Sequence, residues 1–175
     1  MRACFLPLAL LSLTGCHHRY TGPSAALAAL AAQGQTDAQA PLQTSQQITI
    51  SAPPAKVWAL LSDIQSWPDW HPKITQVAVG AVQQGSPFSW TLQGMSINST
   101  IEAFNPPQRL AFTGDVLNFH AIYVWTLTPG ANGTTQVNLN ESVDGFLVSL
   151  FYSDADMADA AQSWLTDLNA AADKP

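Results

Sequence analysis

The chain predicts an α+β domain in which a curved antiparallel sheet carries a long C-terminal helix. Three observations lead there. A short alternating strand is followed at once by a helix, six β-like runs then come in unbroken succession, and the last twenty residues carry helical periodicity. Strands that follow one another without intervening helices pair antiparallel, because parallel neighbours need a long crossover. At 175 residues, 47% hydrophobic and 10% charged, the chain has material for one folded domain and little for a disordered or fibrous one. Twelve acidic against six basic side chains give a net charge of −6, opposite in sign to a phosphate-binding surface, so nucleic acid is not an expected partner.

In chain order, the first segment is an address. Arg2 supplies a positive start, Phe5 to Leu13 an apolar stretch, and Leu13-Thr14-Gly15-Cys16 a close of small residues before a cysteine. Residues 1–15 therefore read as a secretory signal peptide, since about nine apolar residues are too short for a permanent membrane span. An ordinary signal peptide cut elsewhere would leave Cys16 as an odd thiol in the mature chain. The Leu-Thr-Gly-Cys run resembles the bacterial lipobox. That resemblance implies cleavage before Cys16, lipidation of its thiol and amine, and a membrane partner reached through this N-terminal lipid anchor. His17 after the anchor, by resemblance to enteric lipoproteins, implies a place in the cell envelope, on the outer membrane facing the periplasm. Residues 16–45, rich in Ala, Gln, Thr and Gly, read as the lipidated Cys and a flexible linker, in which Ala25 to Ala32 offers two helical turns that are marginal alone in water.

The folded domain is expected over 46–175. Ile48 and Ile50 alternate with Thr49 and Ser51 as a half-buried strand, and Pro53-Pro54 ends it and presets a helix from about Ala55 to Ser62. Ser66 to Pro72, interrupted by two prolines, is expected as an aromatic-rich corner instead of a regular helix. Strands follow at Ile74 to Val79, Phe88 to Gln93, Ser96 to Phe104, Arg109 to Thr113, Phe119 to Thr128 and Thr135 to Val143. Phe88, Trp90 and Leu92 share one face, with Ser89, Thr91 and Gln93 on the other, the pattern of a sheet wet on one side. Met157, Ala161, Trp164, Leu168 and Ala171 recur at helical spacing, while Asp154, Asp156 and Asp159 sit where charge favours a helix N-terminus.

The stretch from Ile50 to Asp63, followed by Trp67-Pro68-Asp69-Trp70-His71-Pro72, resembles the opening of the START-like SRPBCC superfamily, which includes polyketide cyclase/dehydrase and lipid-transport proteins. Phe104 to Leu110, Gly133 to Val137, and Glu141 with Gly145 agree in order and spacing. The resemblance covers about residues 46 to 173 and implies a helix-grip fold of about seven strands wrapped around the C-terminal helix. It also implies a small hydrophobic ligand held between them. A cyclase or dehydratase-like enzyme is the alternative implied, and fold cannot choose.

The candidate site residues come from two arguments. With Thr128 paired to Gly133, His120 and Glu141 would face each other across the last hairpin. Val137, Leu139 and Val143 share the face of Glu141, so a carboxylate there is unusual; the pair would be a buried ion pair, the polar mouth of a cavity, or a proton-transfer dyad. A one-residue change of register would separate them. Alternation puts Ile122 on the face of His120 and turns Phe119, Tyr123 and Trp125 away from the ligand. Trp58, Trp70, Trp90, Phe146 and Trp164 are the other candidate ligand contacts, because large aromatic rings line core and pocket alike. No catalytic residue is assigned beyond the weak pair His120 and Glu141, and no cofactor or metal is expected. Hydrolase, zinc-protease, nucleotide-binding and calcium-loop motifs are missing from the sequence.

Overall fold

A computed structural model describes residues 25–174. In order these form α1 (Ala25–Ala32), β1 (Leu42–Ile50), α2 (Pro54–Ser62), a 3₁₀ turn (Ile64–Ser66), α3 (Trp67–Trp70), β2 (Ile74–Val79), β3 (Pro87–Leu92), β4 (Met95–Asn105), β5 (Arg109–Val116), β6 (Phe119–Pro129) and β7 (Thr135–Gly145). The last two helices are α4 (Val148–Phe151) and α5 (Asp154–Ala172). One seven-stranded sheet runs in the order β1-β7-β6-β5-β4-β3-β2, with every neighbouring pair antiparallel. Strands β2 to β7 form a meander, and β1 returns to pair with β7 along its whole length, Leu42 opposite Val143 and Ile50 opposite Thr135. With α5 packed against β1 and β7, this is the helix-grip architecture.

Local chemistry accounts for the helices. Pro54 stands in the first turn of α2, where its missing N–H is not needed, and Val57, Trp58 and Leu61 form the buried stripe. Pro68 does the same for the single turn of α3, so the expected corner contains one short helical turn and a 3₁₀ turn. Helix α5 opens on a capping box: Ser153 Oγ accepts from the Asp156 amide, and the Asp156 carboxylate accepts from the Ser153 amide. Its buried face is Met157, Ala161, Trp164, Leu165, Leu168, Ala171 and Ala172.

The concave side of the sheet holds the main core. Trp67 is fully buried, donates its indole N–H to the Leu61 carbonyl, and packs its ring against Phe88, Trp90, Phe112 and Trp164.

The other side of the sheet corrects one expectation. The linker expected over 16–45 does not extend through residues 25–45, which fold onto the domain. In α1, Leu27 and Ala31 are buried against Ala103, Ala111, Ile122 and Val124 on the convex face. An eight-residue alanine-rich helix is marginal in water, and this tertiary burial is what the isolated segment lacks. Arg109 packs on Gly34 (φ +75°), where a Cβ would lie 2.7 Å from the guanidinium carbon. The same guanidinium donates to the Gln33 carbonyl. The Asp37 amide donates to Ser142 Oγ, and β1 starts at Leu42, six residues before the expected strand. Covered on both faces, β5 and β6 are buried almost continuously, not in alternation. The signal peptide and Cys16 lie outside the described residues.

Candidate functional site

The site depends on the register of the β6–β7 hairpin. Pro129 pairs with Thr135, so the loop is Gly130 to Thr134, closed by the Gly130 amide donating to the Thr134 carbonyl. Asn132 (φ 57°) and Gly133 (φ 75°) both take left-handed backbone to make this turn. As a result Tyr123 stands opposite Glu141, and His120 stands opposite Asp144. The expected facing of His120 and Glu141 is therefore corrected: the register differs by three residues, and an odd shift puts the two side chains on opposite faces. His120 and Ile122 point to the convex side, where His120 Nδ1 contacts Asp115 Oδ1 and Ile122 packs under α1. Phe119 and Tyr123, turned away from the ligand in the expected register, are on the concave side with Glu141.

There they line a cavity of about 140 Å³ between the sheet and α5. Its walls are apolar: Leu42, Leu92, Met95, Ile97, Val116, Phe119, Ala121, Val143, Val148, Met157 and Ala160. Gly114 belongs to the wall, and a Cβ there would crowd Ile97 and Tyr123 at 3.2 Å each. The polar lining is Gln93, Tyr123, Glu141, Tyr152 and Asp156. Of these, Asp156 is exposed and already engaged at the α5 cap, whereas Glu141 is 5% exposed with no hydrogen-bond partner among the described residues. Burial pushes the Glu141 carboxyl up to about 8. Burial also raises the Tyr123 phenol above its ordinary value, with the Glu141 and Tyr152 charges adding to the effect. In the segments next to the wall residues Val116, Val148 and Tyr152, Leu117, Phe146, Leu150 and Phe151 are each at least 70% exposed, and Asn118 Nδ2 donates to the Phe146 carbonyl, tying the β5–β6 turn to the segment before α4.

The remaining candidates fall elsewhere. Trp58, Trp70, Trp90 and Trp164 belong to the packed core and do not line the cavity. Trp58 packs on Phe104, Trp90 donates to Ser99 Oγ, and Trp164 is surrounded by Trp67, Trp70, Trp90, Trp125 and His71. Phe146 is 72% exposed and does not line the cavity. Of the eight candidate ligand contacts, Glu141 alone faces the cavity.

Sequence reasoning missed Gly114, Ala121, Phe119 and Tyr123 as wall residues. The small ones carry no chemical signature, and the aromatic ones were assigned by a register that the loop does not adopt. It also missed the pair of buried His71 and half-buried Asp167, Nδ1 to Oδ2 2.6 Å apart, with the imidazole stacked on Trp164. Burial lowers the His71 pKa against the opposing effect of Asp167. Among the described residues no group of three or more His, Cys, Asp or Glu is arranged to hold a metal ion.

A family model described as polyketide cyclase / dehydrase and lipid transport matches residues 41–172. No curated protein sequence matches the chain. Among solved structures, a hypothetical protein from Helicobacter pylori superposes with a TM-score of 0.70 at 18% identity, covering 78% of this chain and 90% of that one. A START superfamily protein from Mycobacterium smegmatis gives 0.64 at 13% identity, over 74% and 96%. The Zhui aromatase/cyclase from Streptomyces sp. R1128 gives 0.61 at 16% identity, over 74% and 92%. At these identities the likeness is one of fold.

Proposed function

This chain belongs to the polyketide cyclase / dehydrase and lipid transport family, and from that premise we propose that it binds a small hydrophobic molecule in the cavity between its sheet and α5, on a domain tethered to the bacterial cell envelope by a lipidated Cys16. The observation that carries the binding reading is the cavity itself. Its walls are almost wholly aliphatic and aromatic, and burial of apolar surface is the main source of affinity in such sites. Its volume sets a scale. An apolar cavity of about 150 Å³ accommodates benzene, so about 140 Å³ suits one ring or a short branched chain. That is well below the roughly 300–1,000 Å³ of pockets that enclose drug-sized ligands. The exposed apolar rim around Leu117 and Phe151 supports entry of an apolar molecule from this side.

The envelope part of the proposal rests on the first sixteen residues. With residues 25–45 folded onto the sheet, eight residues separate Cys16 from α1. At roughly 3.3–3.6 Å each they reach less than about 30 Å, so an anchored domain works close to the bilayer, on the outer membrane facing the periplasm. A cyclase-like reaction driven by a His120–Glu141 dyad has no geometry to support it, because the sheet separates the two groups.

Two measurements test the proposal. Mass spectrometry of denaturing extracts of the purified chain should find one small apolar compound at close to one per protein; protein that is empty after isolation from its own envelope and that takes up no one-ring compound overturns the binding reading. The full chain should partition with membranes and its Cys16→Ser variant should not. Equal partitioning of the two overturns the anchor.

A further inference from the structure

We infer that the cavity selects an uncharged, one-ring-sized molecule bearing a hydrogen-bond acceptor such as a keto or ester carbonyl, and that the Glu141 carboxyl is the donor that reads it. The inference rests on the binding function proposed above and narrows its ligand class.

The geometry consists of one polar side chain in an apolar wall. Glu141 is 5% exposed, lines the cavity, and has no hydrogen-bond partner among the described residues. Tyr123 stands directly across from it on β6, and Ala121, Val143 and Met157 complete the nearby wall. No Lys or Arg lines the cavity, so no cation compensates an ionised carboxylate. Under those conditions the neutral acid is the favoured form, consistent with burial pushing this group up to about 8. A protonated carboxyl on the wall of an apolar cavity offers an O–H donor, and a buried donor without an acceptor costs more than a made hydrogen bond contributes. An uncharged acceptor on the ligand removes that cost. A hydrocarbon of the same shape leaves it in place. An amine would have to form an ion pair out of water, with both charges desolvated and no further groups to satisfy them. Sites built around a buried polar group discriminate strongly against analogues that lack the matching atom. The other carboxylate at the cavity, Asp156, is exposed and held by the Ser153 hydroxyl and amide, so it does not compete for this role.

The test uses three probes of one shape on the full chain: acetophenone, cumene, in which an isopropyl group replaces the acetyl, and α-methylbenzylamine. Calorimetric titration of wild type, Glu141→Gln and Glu141→Leu gives the acetophenone-to-cumene affinity ratio, in which differences in probe hydration cancel between variants. The ratio should fall about tenfold in Glu141→Leu and persist in Glu141→Gln, whose amide still donates. Acetophenone binding to wild type should weaken between pH 6 and pH 9.5 as the carboxyl ionises, and should not change with pH in Glu141→Gln. The titratable groups facing Glu141 are Tyr123, Tyr152 and Asp156. Burial holds Tyr123 above its ordinary value, and the Ser153 hydrogen bonds hold Asp156 below its own, so neither titrates in that window. Tyr152→Phe should keep the wild-type profile. A ratio unchanged in Glu141→Leu overturns the inference and leaves the cavity reading standing, and so does tighter binding of the amine than of acetophenone. Failure of all three probes to bind wild type overturns the proposed function with it.

Discussion

The space between the sheet and α5 has a filled end and a hollow end, built by the same elements. Along β5 the concave-side residues go from Phe112 to Gly114; along β6 from Trp125 through Tyr123 to Ala121; along α5 from Trp164 to Ala160 and Met157. At the filled end, Trp67, Phe88, Trp90, Phe112 and Trp164 meet edge-on or tilted at centroid distances of 5.1 to 6.4 Å, the close packing of a protein interior. At the hollow end the same strands carry Gly, Ala and Val, and the backbone separation set by the large rings is left unfilled. Tyr123 marks the border, stacked on Phe112 at 4.8 Å on one side and opposite Glu141 on the other. One end therefore supplies the stability that lets the other stay empty and hold an unpaired carboxyl. A uniform core would do neither.

The largest test of that division is Trp67→Ala. It removes a fully buried ring at the centre of the filled end, and a truncation of this kind costs about 3–5 kcal/mol. Urea unfolding should show the loss in midpoint. A cost near that of a surface substitution would mean that the two ends are not mechanically distinct.

A second effect belongs to the hollow end alone. Glu141 binds its proton more tightly folded than unfolded, the ordinary value being 4.5 and the folded one about 8. The folded state thus binds more protons in that window. Stability should be full below about pH 4.5, fall as pH rises, and level off above pH 8, by an amount measured in kcal/mol and not tenths. Glu141→Gln should flatten that part of the profile. His71 acts in the opposite direction. Burial lowers its folded pKa below 6.5, so its contribution is present above that value and is lost as pH falls through the folded pKa. Asp167→Asn removes the group that raises His71 and should carry that loss to lower pH, while Glu141→Gln leaves it unchanged, which separates the two slopes.

The smallest expected stability change sharpens the comparison most. Ala121→Val adds two methyl groups to the cavity wall. At a hollow site such a change should cost less than the roughly 1–3 kcal/mol of overpacking a filled core, while weakening a one-ring probe by about tenfold or more. Equal losses in stability and binding would mean that the cavity is as tightly packed as the aromatic end.

Much of the architecture was legible from local pattern. Alternation along Phe88 to Leu92 placed Phe88 and Trp90 inward, and the spacing from Met157 to Ala171 gave the buried stripe of α5. The apolar alternation through Val137, Leu139 and Val143 marked Glu141 as a carboxyl on an inward face. One signal was present and unread. Residues 119 to 125 do not alternate, and continuous burial of a strand means that something covers its outer face. Here that cover is α1, whose alanine-rich sequence looks like a linker when judged alone. The tryptophans misled for a related reason: ring size identifies core and pocket equally.

What the sequence alone determined was most of the elements, their order and which face of most of them is buried, because periods of 2.0 and 3.6 are properties of a few consecutive residues. The partner across a hairpin was decided by the left-handed backbone at Asn132 and Gly133 and by the loop length it permits. The cavity was decided by tertiary structure too, since an empty volume is the sum of small side chains contributed by residues as far apart as Leu42, Gly114, Ala121, Val143 and Ala160. No local window contains that sum. It exists only once the aromatic end has fixed how far the helix stands from the sheet.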